Sequence, residues 1–354
     1  MLLLNKLRIL LLPFSLIYWL VVVIRNKCYD WGILKSASFD FPIICVGNLA
    51  VGGSGKTPTT EYLIRLLKDY KIATLSRGYG RKTKGFFTAN DHSTAETIGD
   101  EPLQYYHKFE GITVAVSEDR VKGVKKLIDN HDLIILDDAF QHRRINAGLN
   151  ILLFEFAKLR VPQFMLPAGD LRDVFSSRKR ADVMMVSKTP FSISTIEKQK
   201  DMAKLHEDNR QTIVHSFLKY GQLIPIYGGE TRTIESISKV DVFLLTGIAN
   251  PKPLIDKLTE YGANLHLYQY PDHHTFSLSE IKKLTADFIA LATGKKLIVT
   301  TEKDCQRLRT VEFKNLLVNL PAYFIPIEID LHAADKGIFD ETILQYVKSH
   351  PRNR

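Results

Sequence analysis

Past residue 40 the chain carries short, nearly unbroken apolar runs at residues 43–46, 72–75, 112–116, 133–136, 151–154 and 183–186. Between several of them the apolar positions switch to helical spacing, as in residues 57–68 and 120–129. Runs of that length without polar alternation predict strands buried on both faces, and the intervening period near 3.6 predicts helices. Alternating the two predicts a mainly parallel sheet with helices on both faces. In the helix over 120–129, Val121, Val124, Leu127 and Ile128 make the apolar stripe. Arg120, Lys122, Lys125 and Lys126 fall elsewhere, and most of these charges are expected on a solvated face.

From about Ser194 a charged helical stretch leads into an apolar run at 212–217, then into a segment punctuated by Gly221, Pro225, Gly228 and Gly229. That punctuation predicts a connection between units. A second alternating series follows, with strands expected at 242–246, 265–268, 297–300 and 323–327 and helices at 253–261, 278–292 and 339–347. The predicted architecture is α/β: a P-loop NTPase-type parallel sheet over residues 36–218, a connection at 219–235, and a second, smaller α/β domain over 236–354.

The amino-terminal segment, residues 1–35, differs in kind. Residues 9–24 are apolar apart from Ser15 and the amphipathic Tyr18 and Trp19, with Lys6 and Arg8 before them and Arg25 and Lys27 after. As a helix this run spans roughly 24 Å, short of the roughly 30 Å hydrocarbon core unless Leu2, Leu3, Leu4 and Leu7 join it. A buried core helix would carry a similar run. The flanking cations and interfacial aromatics favour a helix lying in, or partly entering, a membrane. No small-residue cleavage site follows it, so a removed signal peptide is not expected.

Length and charge narrow the class further. At 354 residues, about two domains are expected. Lys and Arg number 48 against 39 Asp and Glu, a net +9 that suits nucleic acid, an anionic membrane surface or a phosphorylated substrate without choosing among them. Cys28, Cys45 and Cys305 are odd in number and far apart, which argues against both a disulfide framework and a zinc site and for a reducing compartment.

The strongest local signal follows the first run: Val51-Gly52-Gly53-Ser54-Gly55-Lys56-Thr57-Pro58 joins a strand to a helix. That order predicts a phosphate-binding loop. Glycines let backbone N–H groups close on phosphate oxygens, Lys56 would reach the β/γ-phosphates, and the Thr57 hydroxyl would serve Mg²⁺. Ala50 stands where the usual pattern has its first glycine. The run at 133–136 ends in Asp137 and Asp138, the way a Walker B element presents a Mg²⁺ ligand. Gln141, His142, Arg143 and Arg144 follow as donors outside that strand's carboxyl end, where ligands of open α/β sheets bind.

Other segments are weaker alone. Arg77 and Arg81 flank Gly78 and Gly80 after a strand, suiting phosphate or a solvated loop. Asp100 and Glu101 precede Pro102, a common helix start. Asp272-His273-His274 follows a strand; adjacent histidines diverge, so one His acting with a carboxylate is the better expectation than a metal pair. The guanine-reading pattern is absent at Ser187-Lys188-Thr189-Pro190 and Thr301-Glu302-Lys303-Asp304, which favours ATP over GTP.

Taken together with Leu166-Pro167-Ala168-Gly169-Asp170-Leu171-Arg172-Asp173 and Thr246-Gly247-Ile248-Ala249, these motifs resemble the tetraacyldisaccharide 4′-kinase family of lipid A biosynthesis over nearly the whole chain. The family's own loop shares Ala50, whereas Asp173 stands where it more often has Glu. The resemblance implies transfer of the γ-phosphoryl group of ATP, with Mg²⁺, to the 4′-hydroxyl of a lipid disaccharide 1-phosphate, giving lipid IVA. It implies Asp100 as the base coupled to His273, with His274 as the fallback. Lys56, Ser54 and Thr57 would hold phosphates and metal beside Gly52, Gly53 and Gly55. Asp137 and Asp138 would serve Mg²⁺, and Arg77, Arg120, Gln141, His142 and Arg172 would line the substrate cleft. Expected surroundings are the cytoplasmic face of an inner membrane, without nucleic acid or an inferred protein partner. The competing readings are a membrane-associated P-loop ATPase with a conformational role and a non-enzymatic basic membrane adaptor.

Overall fold

The structure is a computed structural model describing residues 8–205, 210–292 and 294–350. Leu2, Leu3, Leu4, Lys6 and Leu7, which were to lengthen or flank the amino-terminal helix, lie outside the described residues. Two sheets carry the chain. The larger has nine strands in the order β14-β8-β7-β6-β1-β5-β2-β4-β3. These are β1 (Ile43–Asn48), β2 (Ile72–Ser76), β3 (Phe87–Thr88), β4 (Thr113–Val116), β5 (Leu133–Asp137), β6 (Leu149–Glu155), β7 (Val183–Ser187), β8 (Thr212–Tyr220) and β14 (Ile327–Leu331). The smaller has five, ordered β11-β10-β12-β13-β9, from β9 (Ile224–Pro225), β10 (Asp241–Thr246), β11 (Asn264–Gln269), β12 (Lys296–Thr301) and β13 (Ala322–Ile325). Among the described residues, only β3, β9 and β14 run antiparallel to their neighbours.

Strand β1 lies between β5 and β6, parallel to both, and is buried along its whole length. Its side chains alternate between two cores: Ile43 and Cys45 face one, Ile44 and Val46 the other. That alternation is why its sequence is apolar throughout instead of every second residue. The helices filling the layers are α1 (Leu12–Asp30), α2 (Lys56–Leu66), α3 (Ala95–Ile98), α4 (Asp100–Lys108), α5 (Arg120–Leu127), α6 (Thr195–Leu205), α7 (Lys252–Glu260), α8 (Leu278–Ala290), α9 (Glu302–Leu308), α10 (Val311–Leu317) and α11 (Ala333–Lys348).

Two expectations are corrected here. The run at 323–327 is not one strand, because Pro326 divides it into β13 and β14, which belong to different sheets. Beyond Pro326 the chain leaves the second unit: Ile327 pairs with Tyr220, and Ile329, Leu331, Phe339, Ile343 and Val347 join the core that contains Ile44, Val46 and Leu63. The carboxyl-terminal segment therefore completes the first unit, and residues 327–348 do not belong to the domain expected over 236–354. Residues 221–325 form an insertion whose two ends meet where the Gly221 N–H donates to the Pro326 carbonyl at 2.9 Å.

Helix α1 packs with its polar residues inward. Ser15, Val22 and Asn26 are buried, while Leu16, Ile17, Leu20, Val21 and Ile24 each expose half or more of their surface. The inward face is tied down at four levels. Ser15 Oγ donates to the Met165 carbonyl at 3.0 Å and accepts from Ala168 N at 3.0 Å. Tyr18 Oη donates to the Arg172 carbonyl at 3.0 Å, and Asn26 Nδ2 to Asp173 Oδ1 at 2.9 Å. Arg25 reaches the Gln141 carbonyl at 2.9 Å.

Because Phe339 is fully buried against the first sheet, Phe339→Ala should remove about 3–5 kcal/mol of stability. The check is a urea unfolding curve followed through probes in the nine-stranded unit; an unchanged midpoint would contradict the assignment of α11 to that core.

Candidate active site

The loop after β1 turns twice through glycine. Gly52 has φ +100° and Gly55 φ +92°, backbone that L side chains adopt only with strain. Gly55 immediately precedes α2, so Lys56 and Thr57 are its first residues. Gly47 serves a different end: a Cβ there would lie 2.5 Å from that of Phe140, so its absence lets the turn after β5 settle over β1.

Register puts Val46 beside Asp137, which sets the β5 carboxylates next to the loop. Lys56 Nζ lies 3.7 Å from Asp138 Oδ1 and 3.4 Å from Asn48 Oδ1. Arg172 grips both oxygens of Asp138, with Nη1 to Oδ2 at 3.0 Å, and donates to Asn48 Oδ1 at 2.6 Å. Burial opposes ionisation of Asp138, but Lys56 and Arg172 more than offset it and hold its pKa below the ordinary value. Asp137 goes the other way, pushed up by complete burial, then by Glu101 and Asp138. Its Oδ2 accepts from Tyr105 at 2.9 Å, while Oδ1 is buried without a hydrogen-bond partner. Ser54 Oγ is likewise buried and unpartnered. Orphaned polar atoms of this kind are costly unless a ligand satisfies them.

Arg120, expected mostly among solvated charges by its spacing, is buried, whereas Lys122, Lys125 and Lys126 are exposed as anticipated. It donates to the Ser117 carbonyl at 2.9 Å, and burial lowers its pKa to about 10. His142 is pushed down to about 4, first by burial and then by Arg120 and Arg144, so it is a neutral ring at physiological pH. Gln141 donates to the Asn48 carbonyl at 2.7 Å. Arg77 stands exposed on the loop after β2.

Asp100 and His273 meet across the two units. His273 Nδ1 lies 3.1 Å from Asp100 Oδ2. The same oxygen accepts from Arg307 Nε at 2.9 Å and Nη2 at 2.7 Å. Burial disfavours the Asp100 anion, but His273 and Arg307 outweigh it and the pKa is lowered. Among the described residues every hydrogen bond to this side chain falls on Oδ2, leaving Oδ1 as the open oxygen. His274 turns away to Glu280 at 3.1 Å. The Thr246-Gly247-Ile248-Ala249 segment supplies the seat of the His273 loop, since the Gly247 carbonyl accepts from His273 N at 3.1 Å.

Helix α4 links the two clusters, carrying Asp100 at its start and Tyr105, the Asp137 partner, in its middle. Farther along, Lys108 Nζ bridges Glu61 of α2 and Glu302 of α9, each at 2.8 Å, and Gln104 Nε2 donates to Glu61 at 2.7 Å. Arg307, Lys108 and Glu61 escaped the sequence reading. Each sits on an ordinary helical stretch, and no local motif marks a charge whose partner comes from an element distant in the chain.

A parallel sheet with Lys56 on a glycine turn, beside strand-end carboxylates, the half-buried Arg172 and the buried Arg120, defines a P-loop protein of the phosphoryl-transfer class. Comparison makes this specific. The family model described as tetraacyldisaccharide-1-P 4′-kinase matches residues 7–348, and the chain belongs to that family. It is 40% identical over 357 residues to the tetraacyldisaccharide 4′-kinase of Bacteroides thetaiotaomicron, covering 97% of this chain and 94% of the relative. It is 41% identical to that of Flavobacterium johnsoniae, covering 98% and 99%. The crystal structure of LpxK from Aquifex aeolicus in complex with ATP aligns with a TM-score of 0.74 at 27% identity, over 96% of this chain and 99% of that one.

Removing the Lys56 ammonium should lower kcat about 10²–10³-fold, the usual loss for a preorganised charge contact. Steady-state turnover of Lys56→Ala checks this, and a near-native rate would take the loop out of the reaction.

Proposed function

We propose that this protein transfers the γ-phosphoryl group of ATP to the 4′-hydroxyl of a tetraacyldisaccharide 1-phosphate, forming lipid IVA. The observation that carries the chemical assignment is Asp100: one oxygen saturated by His273 and Arg307, the other open, on the helix that also fixes Asp137. A bond forms between the 4′-oxygen and the γ-phosphorus, and the bond from that phosphorus to the β,γ-bridging oxygen breaks, releasing ADP. Asp100 Oδ1 takes the hydroxyl proton. It is ionised at neutral pH and so able to accept, while His273 and Arg307, which lower its pKa, hold it in place.

Lys56 and the loop N–H groups position the phosphates, and Ser54 Oγ, without a partner of its own, is suited to a phosphate oxygen. Arg172, Arg120 and Arg77 supply cationic walls, with Gln141 and the neutral His142 as hydrogen-bonding groups. The residues fit Mg²⁺: Asp137 offers an unpartnered buried oxygen and Thr57 a hydroxyl, few enough ligands to leave room for phosphates and water. Asp138 would join them only by exchanging Arg172 or Lys56. When bound, the ion neutralises charge on the transferred group.

The outward face of α1 supports placement at a membrane, on the cytoplasmic side where ATP is available. Its inner face is fastened to the protein from Ser15 to Asn26, so the helix lies along the body with its apolar side available to lipid. Replacing Leu16, Leu20 and Ile24 together with Lys leaves those inner contacts intact. The triple variant should lose flotation with zwitterionic vesicles, where added lysines gain no electrostatic attraction, while its melting temperature holds within about 2 °C; continued flotation would point to another anchor.

The direct test is purified protein with γ-labelled ATP, Mg²⁺ and detergent-solubilised lipid disaccharide 1-phosphate. Label should move to the lipid, whereas ATP consumption without labelled lipid would favour the ATPase alternative. Asp100→Asn should reduce transfer by about 10³-fold or more with ATP affinity held within about threefold. Rescue of that variant by raised Mg²⁺ would move Asp100 from base to metal ligand.

A further inference from the structure

We propose that Lys303 is a positioning residue of this reaction: its ammonium fixes the proton of His273 on Nδ1, so that the imidazole donates to Asp100 as a neutral ring. The proposal rests on the reading of Asp100 as the proton acceptor. Lys303 lies on α9, one turn before Arg307, with Nζ 3.0 Å from His273 Nε2. An ammonium has three N–H donors and no acceptor, so Nε2 must present its lone pair in that contact. The single ring proton is then on Nδ1, 3.1 Å from Asp100 Oδ2. Protonating Nε2 would set one cation directly against another.

The charged and ring groups around the imidazole make the assignment specific. From α4 comes the Asp100 carboxylate, already bridged to Arg307. From its own loop comes Asp272, whose Oδ2 is 3.9 Å from Nε2 and whose Oδ1 is 3.6 Å from Lys303 Nζ. Glu101 stands 3.5 Å from Lys303, and the Tyr79 ring leans on the imidazole at 4.9 Å between centroids. His273 is a non-glycine residue at φ +59°, held there by bonds from its N–H to the Gly247 carbonyl and to Asp272. Without Lys303, two carboxylates would face the two ring nitrogens, the arrangement that favours a doubly protonated imidazolium. Lys303 blocks that state. It thereby spares Asp100 a second cation beside Arg307, which would weaken it further as a proton acceptor.

Nitrogen NMR of the full-length protein in detergent, with ¹⁵N-labelled histidine, reads the tautomer without reference to activity. The native spectrum at pH 7 should show His273 protonated on Nδ1 alone, assigned by loss of the signal in His273→Gln. In Lys303→Met the doubly protonated form should appear at pH 7. Its kcat should fall on the order of tenfold to a hundredfold, with KM for ATP within about twofold and activity recovering as the pH is raised. Lys303→Arg keeps a donor-only cation and should restore the Nδ1–H signal and the native pH profile relative to Met.

A native ring protonated on Nε2 overturns the proposal. So does a Lys303→Met enzyme whose ring spectrum or pH profile is unchanged. If Lys303→Met does not fold, the native and Lys303→Arg spectra still decide it. Full activity of Asp100→Asn would instead refute the base assignment while leaving the tautomer measurement standing, so the two failures are distinguishable.

Discussion

The packing of α4 against α9 is the contact on which the active-site geometry depends. Its faces meet through ions and amides: Asp100 with Arg307, Gln104 and Lys108 with Glu302, and His107 with Gln306. Buried pairs of this sort add little net stability, because desolvation cancels most of the Coulomb gain, yet losing one partner costs about 3–5 kcal/mol. Such a seam therefore specifies one arrangement more than it strengthens the fold. Helix α4 spans only about 12 Å from Asp100 to Lys108. Within that length it touches the histidine loop, the β5 carboxylate and, through Glu61, the helix that begins at Lys56. Donor-side and acceptor-side groups are thus spaced by one rigid element.

The amino-terminal helix reaches the same neighbourhood from the other direction. Its Tyr18 holds the Arg172 carbonyl and its Arg25 the Gln141 carbonyl, and those two residues themselves bind Asn48, at the end of β1. The chain turns the usual amphipathic arrangement inside out here. Ser15 and Asn26 are spent on the protein interior, where their bonds are sheltered from water, and apolar residues are left outside.

Much of this was legible in the sequence because the signals are local. A strand, a glycine turn and Gly55-Lys56-Thr57 lie within a few residues of each other, and the apolar run ending at Asp137 announces its own position at a strand end. The structure brings Asp100 and His273 into contact as the family resemblance implied, although composition and spacing alone left both ambiguous. What could not be read was partnership over distance. Residues 327–348 have the same strand and helix patterns as the preceding segment, and nothing local says to which sheet they return. Arg307 looks like ordinary helix surface until α4 is placed beside it. Arg120 defeated the solvated-face expectation because spacing sorts apolar from polar positions but cannot foresee a buried cation held by carbonyls.

The insertion of residues 221–325 between β8 and β14 has a consequence for synthesis of the chain. Domains tend to assemble in the order they leave the ribosome. Here the phosphate loop, Asp137 and every parallel strand of the large sheet emerge before the five-stranded unit, but β14 and α11 emerge last. Until they do, the face bearing Ile44, Val46, Leu63 and Ile151 lacks Phe339 and Ile343 as cover. The five-stranded unit, made later, can close on itself first. A nascent chain would therefore carry a finished second unit and an open nucleotide-binding unit, sealed only by its final turns of helix.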